Sequence, residues 1–408
     1  MFVGCEGKHL FEQIHDERVR VVTRPDGLRP DIVVFPCGRD RRFDNVLAQR
    51  LPDSVHAALI EGTTGVVFDA SLEGVPHKPD ITASLHTVLR HLGVSPLKCV
   101  YVTQERNYGA DYRAHCEAAG IDCPVSVLNH DYWIWHALAE FEDEGEDVYR
   151  GRLRAFRSRP RCRARRFISL NRTPRPTKIL FLLSLLRDGL WDKGFISFGG
   201  FAEAGRPGKP RPSAEQLTAA LPGFENKVVE LAPMLDALNA YGRVLFGLDR
   251  HGWTRLELSN AGLAADLAEY DNCWFSVVTE TEMRRRPSRI TEKVIKPLVN
   301  FQPLIVLGNP GALKMIQGFG FATFDEVVDE SYDEELDPGT RFDLVYREVV
   351  RLCGLDEDEL NTLENTIEDK LIFNARWGLT RFPGVYRSQR DVAMVNDILA
   401  CMSRTGDV

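Results

Sequence analysis

Short, near-continuous apolar stretches rich in β-branched residues recur along this chain, with helix-patterned segments between them. In the first half they fall at residues 31–35, 56–60, 65–68, 99–103 and 124–128. Helical patterns at 81–92 and 112–119 separate them. Strands that are apolar on both faces belong in parallel sheets covered by helices, so this alternation predicts an α/β fold. It resumes at residues 167–170, 195–198, 244–246, 274–278 and 304–307, and from 343 onward the pattern is mainly helical. Residues 200–232, Gly- and Pro-rich at the start, read as a surface loop.

The chain has 408 residues, enough for two domains that each bury a core. Between the two alternating regions lie an acidic block at 142–147 and nine arginines within residues 150–166. Charge blocks of this kind mark an exposed connector. The expected organisation is an N-terminal α/β domain at 1–148, an Arg-rich connector at 149–166 and a second α/β domain at 167–385. A C-terminal helix at 386–408 is expected to cross back to the first domain. The net charge of −8 gives no global field favouring nucleic acid. Nine cysteines with no C-x-x-C spacing argue against a disulfide framework or a zinc ribbon. The longest apolar run, 179–186, is short for a membrane span, and the N-terminal residues carry no secretory pattern. A cytoplasmic protein is expected, with membrane association only at the periphery.

Three constellations follow predicted strands of the second domain, at the ends where open α/β sheets bind ligands. After 167–170 come Asn171, Arg172 and Arg175, then a helix start near Thr177 and Lys178. Thr177 is expected to cap that helix, and its free N–H groups with the flanking cations suit a phosphate. The second constellation is Glu280, a basic loop, and a predicted helix at 290–301. At ~100° per residue, Ile290, Val294, Leu298 and Phe301 form its buried stripe, while Glu292, Lys293 and Lys296 face outward together on the opposite side. A carboxylate there suits ribose hydroxyls and an ammonium suits a diphosphate. The third is the turn Gly308, Asn309, Pro310 and Gly311, in which Asn309 is expected to cap the next helix and the glycines admit a ligand to the backbone.

Thr279-Glu280-Thr281, the Ile290-Thr291-Glu292-Lys293 stretch, Pro297, residues 302–311, and residues 320–324 followed by 329–333 together resemble the donor-binding half of nucleotide-sugar glycosyltransferases. The likeness is greatest to the fucosyltransferase-like branch and covers about residues 166–351. It implies a GT-B architecture, two Rossmann-like domains facing a cleft. It also implies that Glu292 holds the donor ribose and Lys293 or Arg172 the diphosphate, with Glu280 nearby. The basic insert at 283–287 departs from the pattern, as does the lack of the aromatic-rich segment of true fucosyltransferases.

Such a reaction needs preorganised cations at the leaving diphosphate, which Arg172, Lys293 and the Asn309 turn would supply without a metal. An inverting enzyme also needs a base at the acceptor hydroxyl. Asp69 and Glu73, beside predicted strands of the first domain, are the candidates, although both suit turn chemistry. The expected partners are a nucleotide-sugar donor and a glycan or lipid-linked acceptor, as in polysaccharide biosynthesis, and no cofactor. Asp356, Glu357 and Asp358 read better as the start of a helix than as a metal motif, and His86 and His91 point to different sides of their helix. Two alternatives remain open: a nucleic-acid-binding or nucleic-acid-modifying protein using the arginine runs, and an inactive nucleotide-sugar binding module.

Overall fold

The computed structural model describes residues 2–5, 20–22, 31–37, 43, 51–71, 74, 76–122, 124–134, 145–202, 209–244, 268–283 and 289–403. The chain divides into two compact units: residues 1–135 with 287–289 and 384–408, and residues 136–286 with 290–383. Each is built on an open parallel sheet, so the two Rossmann-like units are present and the C-terminal region is helical.

Among the described residues the first unit holds six strands: β1 (Phe2–Cys5), β2 (Arg20–Val22), β3 (Ile32–Pro36), β4 (Gly65–Ala70), β5 (Cys99–Thr103) and β6 (Ser126–Asn129). Their order is β2-β1-β3-β4-β5-β6, all pairs parallel. Side chains alternate across a strand, and the two faces bury different partners. Val33, Phe35, Val66, Phe68 and Tyr101 pack with Leu85, Val88 and Leu89 of the Pro79–Leu92 helix. Ile32, Val34, Val67, Val100 and Val102 face the other way and pack with Met394, Val395, Ile398 and Cys401. Those four lie on the Val392–Met402 helix, which belongs to this unit although some 260 residues separate it from the last strand there.

The second unit holds β7 (Phe167–Asn171), β8 (Gly194–Phe198), β9 (Phe275–Thr279) and β10 (Leu304–Leu307), in the order β10-β9-β7-β8 and parallel throughout. The helix after β7, Pro176–Arg187, is buried from Thr177 through Leu185. A helix apolar on every side must be enclosed on every side, which is why this one runs through the core.

Several expected elements differ. Residues 56–60 lie in a helix, Asp53–Ile60, because an apolar run this short carries no decisive period. The loop expected across 200–232 contains the helices Ala214–Ala220, closed by a Ser213/Gln216 capping box, and Glu225–Leu231. Val244 forms only an isolated antiparallel bridge to Phe198, and 245–246 lie outside the described residues. The helix expected at 290–301 is a turn followed by Ile295–Val299. It ends because Phe301 adopts φ 54°, a left-handed conformation that costs a bulky residue energy. Stacking on Phe156 and hydrogen bonds from Arg159 to the Asn300 and Phe301 carbonyls hold it there. The predicted stripe is nevertheless buried, with Ile290, Val294, Leu298 and Phe301 each at 1% exposure or less.

The expected connector, 149–166, lies within the second unit and begins in the Gly145–Arg157 helix. Its arginines differ in their surroundings, from buried ion pairs to exposed positions. Arg159 pairs with Asp271 at 2.8 Å, and Arg163 pairs with Glu364, donates to the Cys273 carbonyl and lies over the Trp274 ring. Both side chains are at most 3% exposed, so these charges tie elements together. Arg150, Arg154, Arg157, Arg161 and Arg165 are exposed.

Candidate functional site

In the second unit β7 leads to β8 on one side of the sheet, while neighbouring β9 leads to β10 on the other. Diverging connections leave the carboxyl ends of β7 and β9 open between them, the place where such sheets receive ligands. Asn171, fully buried, braces this edge. Its N–H donates to Ser197 Oγ at 2.8 Å, its Nδ2 donates to Ser169 Oγ at 2.9 Å, and its Oδ1 accepts from Thr279 Oγ1 at 2.5 Å. Expected among the substrate contacts, Asn171 has its amide occupied inside the sheet.

Glu280 follows β9 and is 3% exposed. It accepts from the Thr291 N–H at 3.0 Å and from Thr291 Oγ1 at 2.9 Å, which folds the 290–294 turn back onto the sheet. Lys293 Nζ donates to Thr291 Oγ1 at 2.7 Å and lies 3.5 Å from Glu280 and 3.6 Å from Glu292. Burial alone would raise the Glu292 carboxyl pKa. The fields of Lys293, Lys296 and Lys178 outweigh that and hold it below its ordinary value. Glu292 therefore stays an acceptor-only carboxylate, about a quarter exposed.

Lys178 completes the cluster from the first turn of the Pro176–Arg187 helix, with only 4% of its surface exposed. Arg175, not Thr177, occupies the N-cap position of that helix, and no side chain caps it. Burial, and next the charge of Lys293, press the Lys178 ammonium down to about pKa 7, against the pull of Glu280 and Glu292. Lys209, which the sequence reading passed over, lies near enough to Arg175 for that charge to add to partial burial in lowering its own pKa. Arg172 is exposed in the loop between β7 and the helix. A Cβ on Gly199 would sit 1.7 Å from the Arg172 carbonyl oxygen, so only glycine permits this approach of the β8 end to that loop.

At the β10 end the glycine turn is arranged differently from the expectation. The helix there is Ala312–Gly318, its N-cap position is Gly311 at φ 75°, and Asn309 does not cap it. Asp333 does so from outside, accepting from the Leu313 and Lys314 N–H groups at 3.0 and 3.2 Å, while its own carbonyl accepts from Gly311 N–H. Gly308 lies against the Glu280 side chain, and its carbonyl accepts from Arg341 Nε at 2.9 Å. Arg341 is 1% exposed and fixes this turn, a role that no local pattern announced.

In the first unit, polar side chains gather at the carboxyl ends of β4, β5 and β6. Asp69 Oδ1 accepts from the Ser71 N–H and hydroxyl, the turn chemistry that competed with a catalytic role. Glu73 lies outside the described residues. The sequence reading missed His130, 4% exposed, whose Nε2 is buried without a hydrogen-bond partner. Burial presses its pKa down to about 4, although Asp131 and Asp69 pull the other way. Gln104 beside it donates to the Ser71 carbonyl and leaves Oε1 without a partner. Asp131 is closed off by Arg106 at 2.7 Å, Arg390 at 3.5 Å and the Tyr386 hydroxyl at 3.4 Å.

The remaining candidates have structural duties. Asp356 caps the Glu357–Thr366 helix in a capping box with Glu359. His86 Nε2 hydrogen-bonds the Tyr112 hydroxyl at 2.9 Å.

The fold and the site together define an α/β protein whose second sheet opens at its switch point onto a helix N-terminus ringed by cations. No family model matches the chain, and no curated protein matches it. Among solved structures it is similar to an α,α-trehalose 6-phosphate synthase from Burkholderia multivorans, at 12% identity and a TM-score of 0.37 over 94% of this chain and 74% of that one. It is also similar to the catalytic domain of starch synthase IV from Arabidopsis thaliana, at 10% identity and a TM-score of 0.40 over 93% and 74%. An α1,3-fucosyltransferase is similar at 10% identity and a TM-score of 0.30 over 90% and 89%. No described helix is long and apolar enough to cross a membrane.

Proposed function

We propose that this chain is a glycosyltransferase that takes a nucleotide diphosphate sugar as donor in its second unit and passes the sugar to a hydroxyl acceptor. The observation that carries the reading is Lys178, Lys293 and Arg175 converging on an uncapped helix N-terminus, with Glu292 ionised beside them. Helix N–H groups and ammonium ions stabilise a diphosphate, most of all when it leaves with developing charge. In this reading Glu292 accepts from the ribose hydroxyls, while Lys293, Lys178 and Arg172 face the diphosphate. Glu280 and Thr291 hold the turn that presents Glu292 and Lys293. The Gly308–Gly311 turn borders the site, and Arg341 keeps it in place. Side-chain cations supply the charge that a metal supplies elsewhere, so metal-independent transfer is proposed.

The first unit is proposed to receive the acceptor, a glycan or a lipid-linked saccharide. Asp69 and Glu73 are the proposed bases. His130 is neutral at pH 7 with a free Nε2, and suits a hydrogen bond to a sugar hydroxyl better than proton abstraction. Exposed Arg150, Arg154, Arg157 and Arg161 suit contact with an anionic membrane surface from the cytoplasmic side. The nucleic-acid alternative loses part of its basis, because Arg159 and Arg163 are buried in ion pairs.

The test is thermal unfolding of wild type and Glu292→Ala with UDP, GDP, CMP and dTDP. A ligand at about 100 times its Kd stabilises by about 2.7 kcal/mol. One nucleotide should shift the wild type and leave Glu292→Ala unshifted. No shift with any of the four would overturn the donor-site reading. A shift without turnover of the matching nucleotide sugar would leave the inactive binding module.

A further inference from the structure

The Pro176–Arg187 helix presents an unusual combination at its first turn. Lys178 is 4% exposed, and among the described residues its ammonium has no hydrogen-bond acceptor and no ion pair within 4 Å. Its three donors therefore find no protein acceptor there and have little access to water, which is costly for the charged form. The surroundings make it worse. The N–H groups of the same helix end are positive, Arg175 stands at the N-cap, and Lys293 faces Lys178 from the turn after β9. The carboxylates facing it are Glu280, already bound to Thr291, and Glu292, already beside Lys293. An ammonium so placed gives up its proton far more readily than a solvated one. An arriving diphosphate supplies the missing acceptors and reverses the field.

Building on the donor-site reading, we propose that the diphosphate of a nucleotide binds the second unit together with one proton, which recharges Lys178. The lysine is neutral in most empty molecules at alkaline pH and charged in every nucleotide-bound one. Binding is thereby coupled to pH through one side chain.

The coupling is measured by calorimetric titration of the full chain with UDP, GDP and ADP at pH 8, in buffers of large and small ionisation enthalpy. At that pH a nucleoside diphosphate is itself fully ionised. With a Lys178 pKa of about 7, roughly nine-tenths of empty sites lack the proton, so uptake approaches one proton per site. Affinity should also fall about tenfold from pH 8 to pH 9. Lys178→Arg, whose guanidinium stays charged, should bind with uptake near zero and a flat profile. Lys293→Arg keeps the neighbouring charge and should retain the uptake. Nucleotide binding with buffer-independent heats in the wild type overturns the proposal, as does uptake that persists in Lys178→Arg or vanishes only in Lys293→Arg. Should Lys178→Arg fail to fold, the wild-type heats and the Lys293→Arg control still decide. No binding of these three nucleotides, together with no thermal shift from dTDP, overturns the donor-site reading itself.

Discussion

Two helices of the second unit begin at the carboxyl edge of the same sheet, and their first turns are finished in opposite ways. The Ala312–Gly318 helix after β10 is closed by the chain itself, because Asp333 reaches back and takes its N–H groups. The Pro176–Arg187 helix after β7 has no capping side chain and carries Lys178, a cation at the end where the helix field is already positive. A carboxylate at a helix N-terminus is the stabilising choice and a lysine the destabilising one. The contrast separates a terminus built for the fold from one left for an outside anion. It also corrects the expectation that the Asn309 turn, with its two glycines, would be a phosphate cradle: its positive end is already neutralised.

The largest expected effect tests this contrast directly. Lys178→Met should lower nucleotide affinity at pH 7 at least 100-fold while raising the stability of the empty protein. The stability sign follows from the lowered lysine pKa. The unfolded chain holds this proton to about pH 10.4, whereas the folded chain releases it near pH 7. Lys178 therefore destabilises the fold most below pH 7, and that cost fades as pH rises towards 10. Removing it should add about 1–4 kcal/mol at neutral pH, read from denaturant unfolding. A variant that loses both stability and binding would mean that Lys178 is a structural residue.

The second effect is its mirror image. Asp333→Ala leaves the N–H groups of Leu313 and Lys314 unpaired in a mostly buried turn. It should cost about 3 kcal/mol of stability. Nucleotide affinity should change far less than in Lys178→Met. If Asp333→Ala instead abolished the nucleotide shift at temperatures where it remains folded, both termini would belong to the ligand site.

How far all this was legible follows from range. The strands of the second sheet stood out because both of their faces are buried and their apolar runs are continuous, as in residues 304–307 and 274–278. Glu280, Thr291, Glu292, Lys293 and Lys178 were readable as candidates because each stands just beyond a strand or in the first turn after one. What failed was decided at a distance. Asp333 caps a helix from some twenty residues downstream, displacing Asn309. Arg159, far off in the chain, holds Phe301 in the conformation that ends the expected 290–301 helix. Arg163 reads as one more charge of an exposed connector and Arg341 carries no signal, because no local pattern shows that Glu364 or the Gly308 carbonyl is waiting for them. His130 was silent because a lone histidine after a strand carries no period.

His130 gives the smallest of the three effects and extends the comparison to the first unit. There Asp131 closes on Arg106 and Arg390 and Asp69 on Ser71, and among the described residues His130 and Gln104 carry buried atoms without a partner. An edge left neutral suits a hydroxylated ligand, just as an edge left cationic suits a phosphate. Burial holds His130 unprotonated down to about pH 4, whereas the unfolded chain takes up that proton near pH 6.5. Unfolding therefore binds a proton between those values, and the fold loses stability as pH falls from 6.5 to 4. The His130 share of that loss should be about 2 kcal/mol by pH 5. His130→Gln, unable to titrate, should show a shallower acid slope in unfolding experiments at stepped pH, with the wild-type slope unchanged above pH 7. Equal acid slopes in the two proteins would mean that His130 is hydrated in solution, and the neutral edge of the first unit would lose its main support.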